Sequence, residues 1–215
     1  MIKSFNLYLV LSQEYSDKPV REIANEAIAG GVDIVQMREK NMSHQELIEL
    51  GNELRELCHE NDVKFIVNDN PFFAKEVNAD GVHLGQEDMR KYYIAEAREI
   101  LGEDKIIGVS THSVSQFEHA NKIGCDYIAF GPIFETQTKD YHIGMKDISK
   151  VLKIAQKPVI FIGGINLSNV DEVLSKGAEN IAVIRAITRA KNVSLTARSL
   201  KIKIVGANPD AYSDK

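Results

Sequence analysis

Gln36, Arg38 and Lys40 stand at alternate positions at the end of an apolar run, residues 32–35. Such a run reads as a buried strand whose alternate side chains share one face, so an amide and two permanent cations are expected to point the same way. Charges on a desolvated face need a counter-charge or hydrogen bonds, and an anionic ligand would supply both. Pairing of Arg38 and Lys40 with acidic side chains is the other reading, and this stretch alone leaves the two open.

Polar groups recur in the same way after later apolar runs. Asn68 and Asp69 follow the next run; Gln86, Glu87 and Asp88 another; then come Ser110, Thr111 and His112; Thr136, Thr138 and Lys139; Gly163 and Gly164; and Arg185. Asp69 and Asp88 offer hard oxygen ligands of the kind Mg²⁺ accepts beside waters and phosphates, although salt bridging or capping would also account for two carboxylates. Arg38, Lys40 and Lys139 around them tilt the balance, because cations plus magnesium suit a diphosphate. Gly163 and Gly164 either let backbone N–H groups approach a phosphate or form a tight strand-to-loop turn. Arg185 either assists them or is a solvated charge. His83, inside an apolar strand, reads as a hydrogen-bonded core residue. His112 is better placed but has no evident partner, and no histidine is assigned catalysis.

The elements that must carry these groups alternate. Strands are expected at 5–12, 32–40, 64–69, 81–85, 106–110, 127–133, 158–165 and 181–187. Helices are expected at 20–31, from an N-cap at Ser43 to about 60, and at 89–101, 113–123, 147–156, 169–177 and 194–205. Glu46 completes a capping box with Ser43, and Pro71 suits a first helical turn. Eight near-continuously apolar strands, each followed by a helix, imply a closed parallel (β/α)₈ TIM barrel in a single domain, 1–206. An open doubly wound sheet is the alternative. A loose repeat supports closure: a small residue, then an acid or amide, then a strand, at Asp33, Asp80, Asp126 and Asn180, always before an even-numbered strand. In such a barrel the polar groups above all fall on the C-terminal rim of the strands, where barrel reactions occur. Residues 207–215 have no apolar periodicity and are expected to form a mobile tail.

The 215 residues suffice for one large core. A net charge of −5 without a basic stripe excludes a general nucleic-acid binder. Two cysteines without metal spacing or disulfide density point to a reducing cytoplasm. No signal-peptide pattern occurs in residues 1–6, and no apolar run approaches the roughly 20 residues of a spanning helix.

Six segments carry a resemblance: Val35-Gln36-Met37-Arg38-Glu39-Lys40; Val67-Asn68-Asp69; residues 80–88; residues 108–112; residues 131–139, which include Thr136-Gln137-Thr138-Lys139; and Ile162-Gly163-Gly164-Ile165. In this order they resemble the signature segments of the thiamine-phosphate synthase family. The resemblance implies a (β/α)₈ barrel that joins 4-amino-2-methyl-5-hydroxymethylpyrimidine diphosphate to a thiazole phosphate with Mg²⁺, releasing diphosphate. It implies that Gln36, Arg38, Lys40, Asn68, Ser110 and Lys139 hold the pyrimidine diphosphate, with Arg38, Lys40, Ser110 and Lys139 acting in catalysis, Asp69 and Asp88 on magnesium, and Met37, Glu39 and Gln137 also among the substrate-binding residues. Thr136 and Thr138 would meet the thiazole phosphate, whose phosphate would rest on Gly164 and the backbone around Ile184 and Arg185. The implied mechanism is dissociative: diphosphate leaves, and the thiazole nitrogen captures a pyrimidine-stabilised cation. Two departures stand out, a short loop at 140–143 and Arg185 where the family often has serine. The rivals are the related thiazole tautomerase, which usually has a histidine where this chain has Pro132, and a non-catalytic phosphate-ligand barrel. The expected partners are small molecules, with a homo-oligomer left open.

Overall fold

The structure, a computed structural model, describes residues 5–136 and 140–207. Eight parallel strands close into a barrel in chain order: β1 (Leu7–Leu11), β2 (Ile34–Met37), β3 (Lys64–Asn68), β4 (Gly81–Leu84), β5 (Ile106–Thr111), β6 (Tyr127–Phe130), β7 (Val159–Ile162) and β8 (Ile181–Val183). The register Leu7↔Ile181, Tyr8↔Ala182, Leu9↔Val183 joins the last strand to the first, which settles the choice between barrel and open sheet. Helices cover the outside: α1 (Val20–Ala29), α2 (His44–Glu60), α3 (Pro71–Glu76), α4 (Ile94–Leu101), α5 (Val114–Ala120), α6 (Ile148–Ile154), α7 (Val170–Leu174), α8 (Arg185–Thr188) and α9 (Val193–Ala207).

The period-two alternation of the strands divides the apolar residues into two cores. Outward residues such as Leu7, Leu9, Val35, Phe65, Val82, Ile107, Phe130 and Phe161 pack under the helices. Inward ones, Tyr8, Val10, Ile34, Ile66, Tyr127, Ala129, Ile160 and Ala182, fill the barrel. Ser43 caps α2 and Glu46 closes the capping box as the sequence indicates, and Pro71 occupies the first turn of α3 with Asn70 as its cap.

The repeated acid or amide before each even-numbered strand has a definite task. Asp33 accepts from the backbone N–H groups of Asn6 (2.8 Å) and Leu7 (2.9 Å) at the start of β1. Asp80 accepts from Phe65 N–H on β3 (2.9 Å), and Asp126 from Ile107 N–H on β5 (2.7 Å). Asn180 donates its amide to the Val159 carbonyl on β7 (2.9 Å). Each therefore satisfies a backbone group on the neighbouring odd strand at the N-terminal end of the barrel.

Several elements are shorter than the sequence suggests. β2 stops at Met37, although Arg38 N–H still donates to the Leu11 carbonyl (2.8 Å). The helix expected over 89–101 is split: a 3-10 turn spans Asp88–Arg90, and α4 starts only after an extended Tyr93. At the start of the 3-10 turn Asp88 Oδ2 accepts from Gly85 N–H (3.1 Å). The eighth strand ends at Val183, the chain turns at Ile184, and Arg185 to Thr188 form a one-turn helix instead of more strand. Ala207 closes α9 and so belongs to the folded body; the rest of the expected tail, 208–215, lies outside the described residues.

Candidate active site

At the C-terminal end of the strands the barrel opens into a cavity of about 270 Å³. Gln36, Arg38, Asn68, Ser110, Thr136, Gly164, Ile184 and Arg185 all line it, together with Gly163, His83 and His112. β2, β3, β5, β7 and β8 thus bring their polar ends to one place. Gln137, Thr138 and Lys139 lie outside the described residues.

The shared face expected for Gln36, Arg38 and Lys40 holds for the first two. Gln36 is buried at 4% exposure and Arg38 is half-buried in the cavity wall, whereas Lys40 is exposed and not part of that wall. The alternation lapses because the strand has already ended at Met37. Met37 itself points outward into the core under the helices and does not line the cavity. Glu39 turns to the loop after β1, accepting from Gln13 N–H (2.6 Å). Burial raises its carboxyl pKa, and the Gln13 hydrogen bond and Arg38 oppose the rise.

Arg38 carries the sharpest electrostatic feature. Its Nη1 is buried and has no hydrogen-bond partner among the described residues. A buried cationic donor left unsatisfied is costly, and an anionic ligand would relieve it.

Asp69 and Asp88 form a pair beside this wall. Burial, then the hydrogen bond and charge of Asp88, push the Asp69 carboxyl up to about 7, while Lys40 and Arg38 hold it back. The charge of Asp88 beside it disfavours the ionised form of Asp69, and a cation at this point would relieve that repulsion. Asp69 also has φ +68°, a left-handed conformation rare for a residue with a side chain and concentrated at functional sites. The oxygen donors therefore fit Mg²⁺. Among the described residues no third carboxylate, histidine or cysteine joins them, so a bound Mg²⁺ would need waters or phosphate oxygens besides.

On the opposite wall, Gly163 (φ +104°) and Gly164 (φ +67°) are required by contact as well as by dihedral. A Cβ on Gly164 would come within 2.5 Å of the Glu135 carbonyl oxygen, and one on Gly163 within 2.3 Å of Pro132 Cβ. The loop after β7 is thereby pressed onto the loop after β6. Arg185 is positioned by Tyr15, whose ring centroid lies 5.1 Å from its guanidinium carbon, and its Nη2 reaches Thr136 Oγ1 at 3.5 Å. Tyr15 is in turn held by Thr188, which donates to its carbonyl (2.6 Å).

His83 is the hydrogen-bonded core residue the sequence suggests, with both ring nitrogens engaged, by the Tyr127 hydroxyl and by Ser110 Oγ; yet it also faces the cavity. His112 has the partner the sequence did not disclose: Nδ1 donates to the Gly131 carbonyl (2.6 Å), and Tyr141 packs edge-on against the ring. Tyr8 and Tyr127 were not anticipated as site residues. Their signal was a phenol at an inward position of an apolar strand, where the hydroxyl must find a partner.

Comparison with known proteins matches residues 7–187 to a family described as thiamine monophosphate synthase. A thiamine-phosphate synthase of Halalkalibacterium halodurans is 40% identical over 199 residues, covering 91% of this chain and 93% of that one. The protein of the same name from Persephonella marina is 37% identical, covering 91% and 94%. A solved structure of a thiamine phosphate pyrophosphorylase from Pyrococcus furiosus superposes with a TM-score of 0.87 at 37% identity, over 96% of this chain and 98% of that one.

Proposed function

The chain belongs to the thiamine monophosphate synthase family, and from that premise we propose how its rim carries out the reaction. The activity is that of a transferase of thiamine biosynthesis: a thiamine-phosphate synthase acting on two small molecules. In the proposed reaction, 4-amino-2-methyl-5-hydroxymethylpyrimidine diphosphate condenses with thiazole phosphate, giving thiamine phosphate and diphosphate. The buried, unsatisfied Nη1 of Arg38 beside the Asp69–Asp88 pair is the observation that carries this reading, since it calls for an anion next to a cation site.

Asp69 and Asp88 would hold Mg²⁺, which when bound supplies positive charge against the departing diphosphate. Arg38 and Lys40 add fixed positive charge at the same end, so negative charge developing on the leaving group meets donors already in place. Asn68, Gln36 and Ser110 orient the pyrimidine end, and Lys139 is assigned to the diphosphate as well. The carbon–oxygen bond to diphosphate breaks first, and the nitrogen of the thiazole closes on the resulting carbocation; no group is needed to remove a proton in that step. Gly164, Ile184 and Arg185 serve the thiazole phosphate, with Thr136, Gln137 and Thr138 along its ring. The Tyr141–His112 contact and the Ile143 N–H bond to the Pro132 carbonyl (2.8 Å) hold residues 141–143 against two residues of the cavity wall, where they would help keep water from the cation. Cys58 and Cys125, both buried and unpaired, accord with a reducing cytoplasm.

The test is an assay of the purified protein with both substrates, in Mg²⁺ or in chelator. Thiamine phosphate formed only with the metal is expected. Undiminished product in chelator would remove the metal role of Asp69 and Asp88. Folded protein that leaves the pyrimidine diphosphate unconsumed would overturn the synthase reading in favour of a tautomerase or a binding barrel.

A further inference from the structure

A line of hydrogen bonds crosses the floor of the cavity. Gln36 Nε2 donates to the Tyr8 hydroxyl (2.8 Å), the Tyr8 and Tyr127 hydroxyls lie 2.9 Å apart, Tyr127 is 2.9 Å from His83 Nδ1, and His83 Nε2 is 2.8 Å from Ser110 Oγ. All five residues border the cavity, and four of them are buried. A phenol has one proton and a neutral imidazole one N–H, and in a buried line each of these protons needs an acceptor, which orders the links. Gln36 Nε2 can only donate. The buried Tyr8 proton then finds its acceptor in the Tyr127 oxygen, the Tyr127 proton in His83 Nδ1, and His83 Nε2–H donates to Ser110 Oγ. A doubly protonated ring would break this order, because its Nδ1–H would leave a buried phenol proton without an acceptor in the line. The line leaves an acceptor, Gln36 Oε1, at one end and a donor, the Ser110 hydroxyl proton, at the other.

We propose that Tyr8, Tyr127 and His83 are positioning residues that fix this polarity, and that the polarity selects a 4-aminopyrimidine over its 4-oxo counterpart. A 4-amino group donates and the adjacent ring nitrogen accepts; in the 4-oxo form the carbonyl accepts and the ring N–H donates, so both signs reverse. β5 is shaped for the relay: a Cβ on Gly108 would lie 1.9 Å from Tyr127 Cζ, so the bare glycine lets the phenol cross. The substrate clause rests on the synthase reading; the direction of the relay does not.

Two measurements test it. Long-range ¹H–¹⁵N spectra of the ligand-free protein at pH 7 should show His83 as the Nε2–H tautomer, and Tyr127→Phe should convert it to a mixture. An Nδ1–H tautomer in the wild type would overturn the relay whatever the enzyme does. The ratio of kcat/KM for the 4-amino over the 4-oxo pyrimidine diphosphate should fall about tenfold or more in Tyr127→Phe and in Tyr8→Phe, mainly through KM for the amino substrate. A structural role alone would lower activity on both substrates and leave the ratio intact, and an unchanged ratio in folded variants would overturn the selection. Wild-type protein with the expected tautomer but no product would instead refute the synthase reading and, with it, the substrate clause.

Discussion

Arg38 holds a cationic donor, Nη1, away from water and without a protein acceptor among the described residues, so its place in the fold is a cost unless ligand meets it. Arg38→Ala should therefore separate function from stability. We expect kcat/KM to fall by about 10² to 10³ while the melting temperature stays level or rises. A melting temperature several degrees lower would show that the guanidinium is structural. His83 permits a second prediction at the same scale. Burial lowers its pKa from 6.5 to about 4, so the folded chain refuses a proton that the unfolded chain accepts. Above pH 6.5 this has no effect. As the pH falls from 6.5 to 4 stability is lost, on the order of 3 kcal/mol in all. Urea midpoints at pH 7.5, 6 and 5 should trace the loss, and His83→Gln should flatten it.

At the scale of elements, the acids before the even strands join neighbouring strands at the end of the barrel remote from the cavity. Asp126 accepts from Ile107 N–H and pairs with Arg98 (2.7 Å), a guanidinium that also reaches three backbone carbonyls. Asp126→Ala should destabilise the protein by about 2–3 kcal/mol, read by denaturant unfolding, with KM for either substrate unchanged. These elements were largely legible in the sequence. Apolar runs gave all eight strands, and the acid repeat marked four of the strand starts, because a short polar side chain beside a strand end has few tasks other than hydrogen bonding the backbone. Strand ends were not legible. Arg38 and Lys40 look equivalent in sequence, but one lines the cavity and the other is exposed, because the pleat stops at Met37. The turn at Ile184 was likewise hidden: Ile-Arg-Ala-Ile fits a strand, and only the packing of Thr188 and Arg185 on Tyr15 makes it a helical turn. Met37, between two site residues, Gln36 and Arg38, faces the other core because residue-by-residue alternation sends it there. The partner of His112, a carbonyl 19 residues away, depends on the pairing of β5 with β6.

For the molecule as a whole, the barrel gathers unsatisfied charge at one end and satisfied charge at the other. The C-terminal rim has a guanidinium with one buried nitrogen unpaired among the described residues, and two neighbouring carboxylates; at the N-terminal end Asp33 with Lys201, Asp80 with Lys64, and Asp126 with Arg98 are paired. Mg²⁺ and inorganic diphosphate together should thus raise the melting temperature more than the sum of their separate effects, corresponding to about 2.7 kcal/mol when ligand exceeds its Kd a hundredfold. Thermal shifts with each alone and with both would check this, and Asp69→Asn should abolish the synergy.

The pairing of strands by Asp80 and Asp126 also has a consequence in time. These grips span 15 and 19 residues of chain, whereas the one between Lys201 and Asp33, at the seam where the last helix meets the first strands, spans 168. Short loops close at little entropic expense, so the two-strand units can form early and the seam last. Loss of the Asp126 carboxylate should accordingly slow refolding, and Lys201→Met should mainly hasten unfolding, a division that stopped-flow chevrons would reveal.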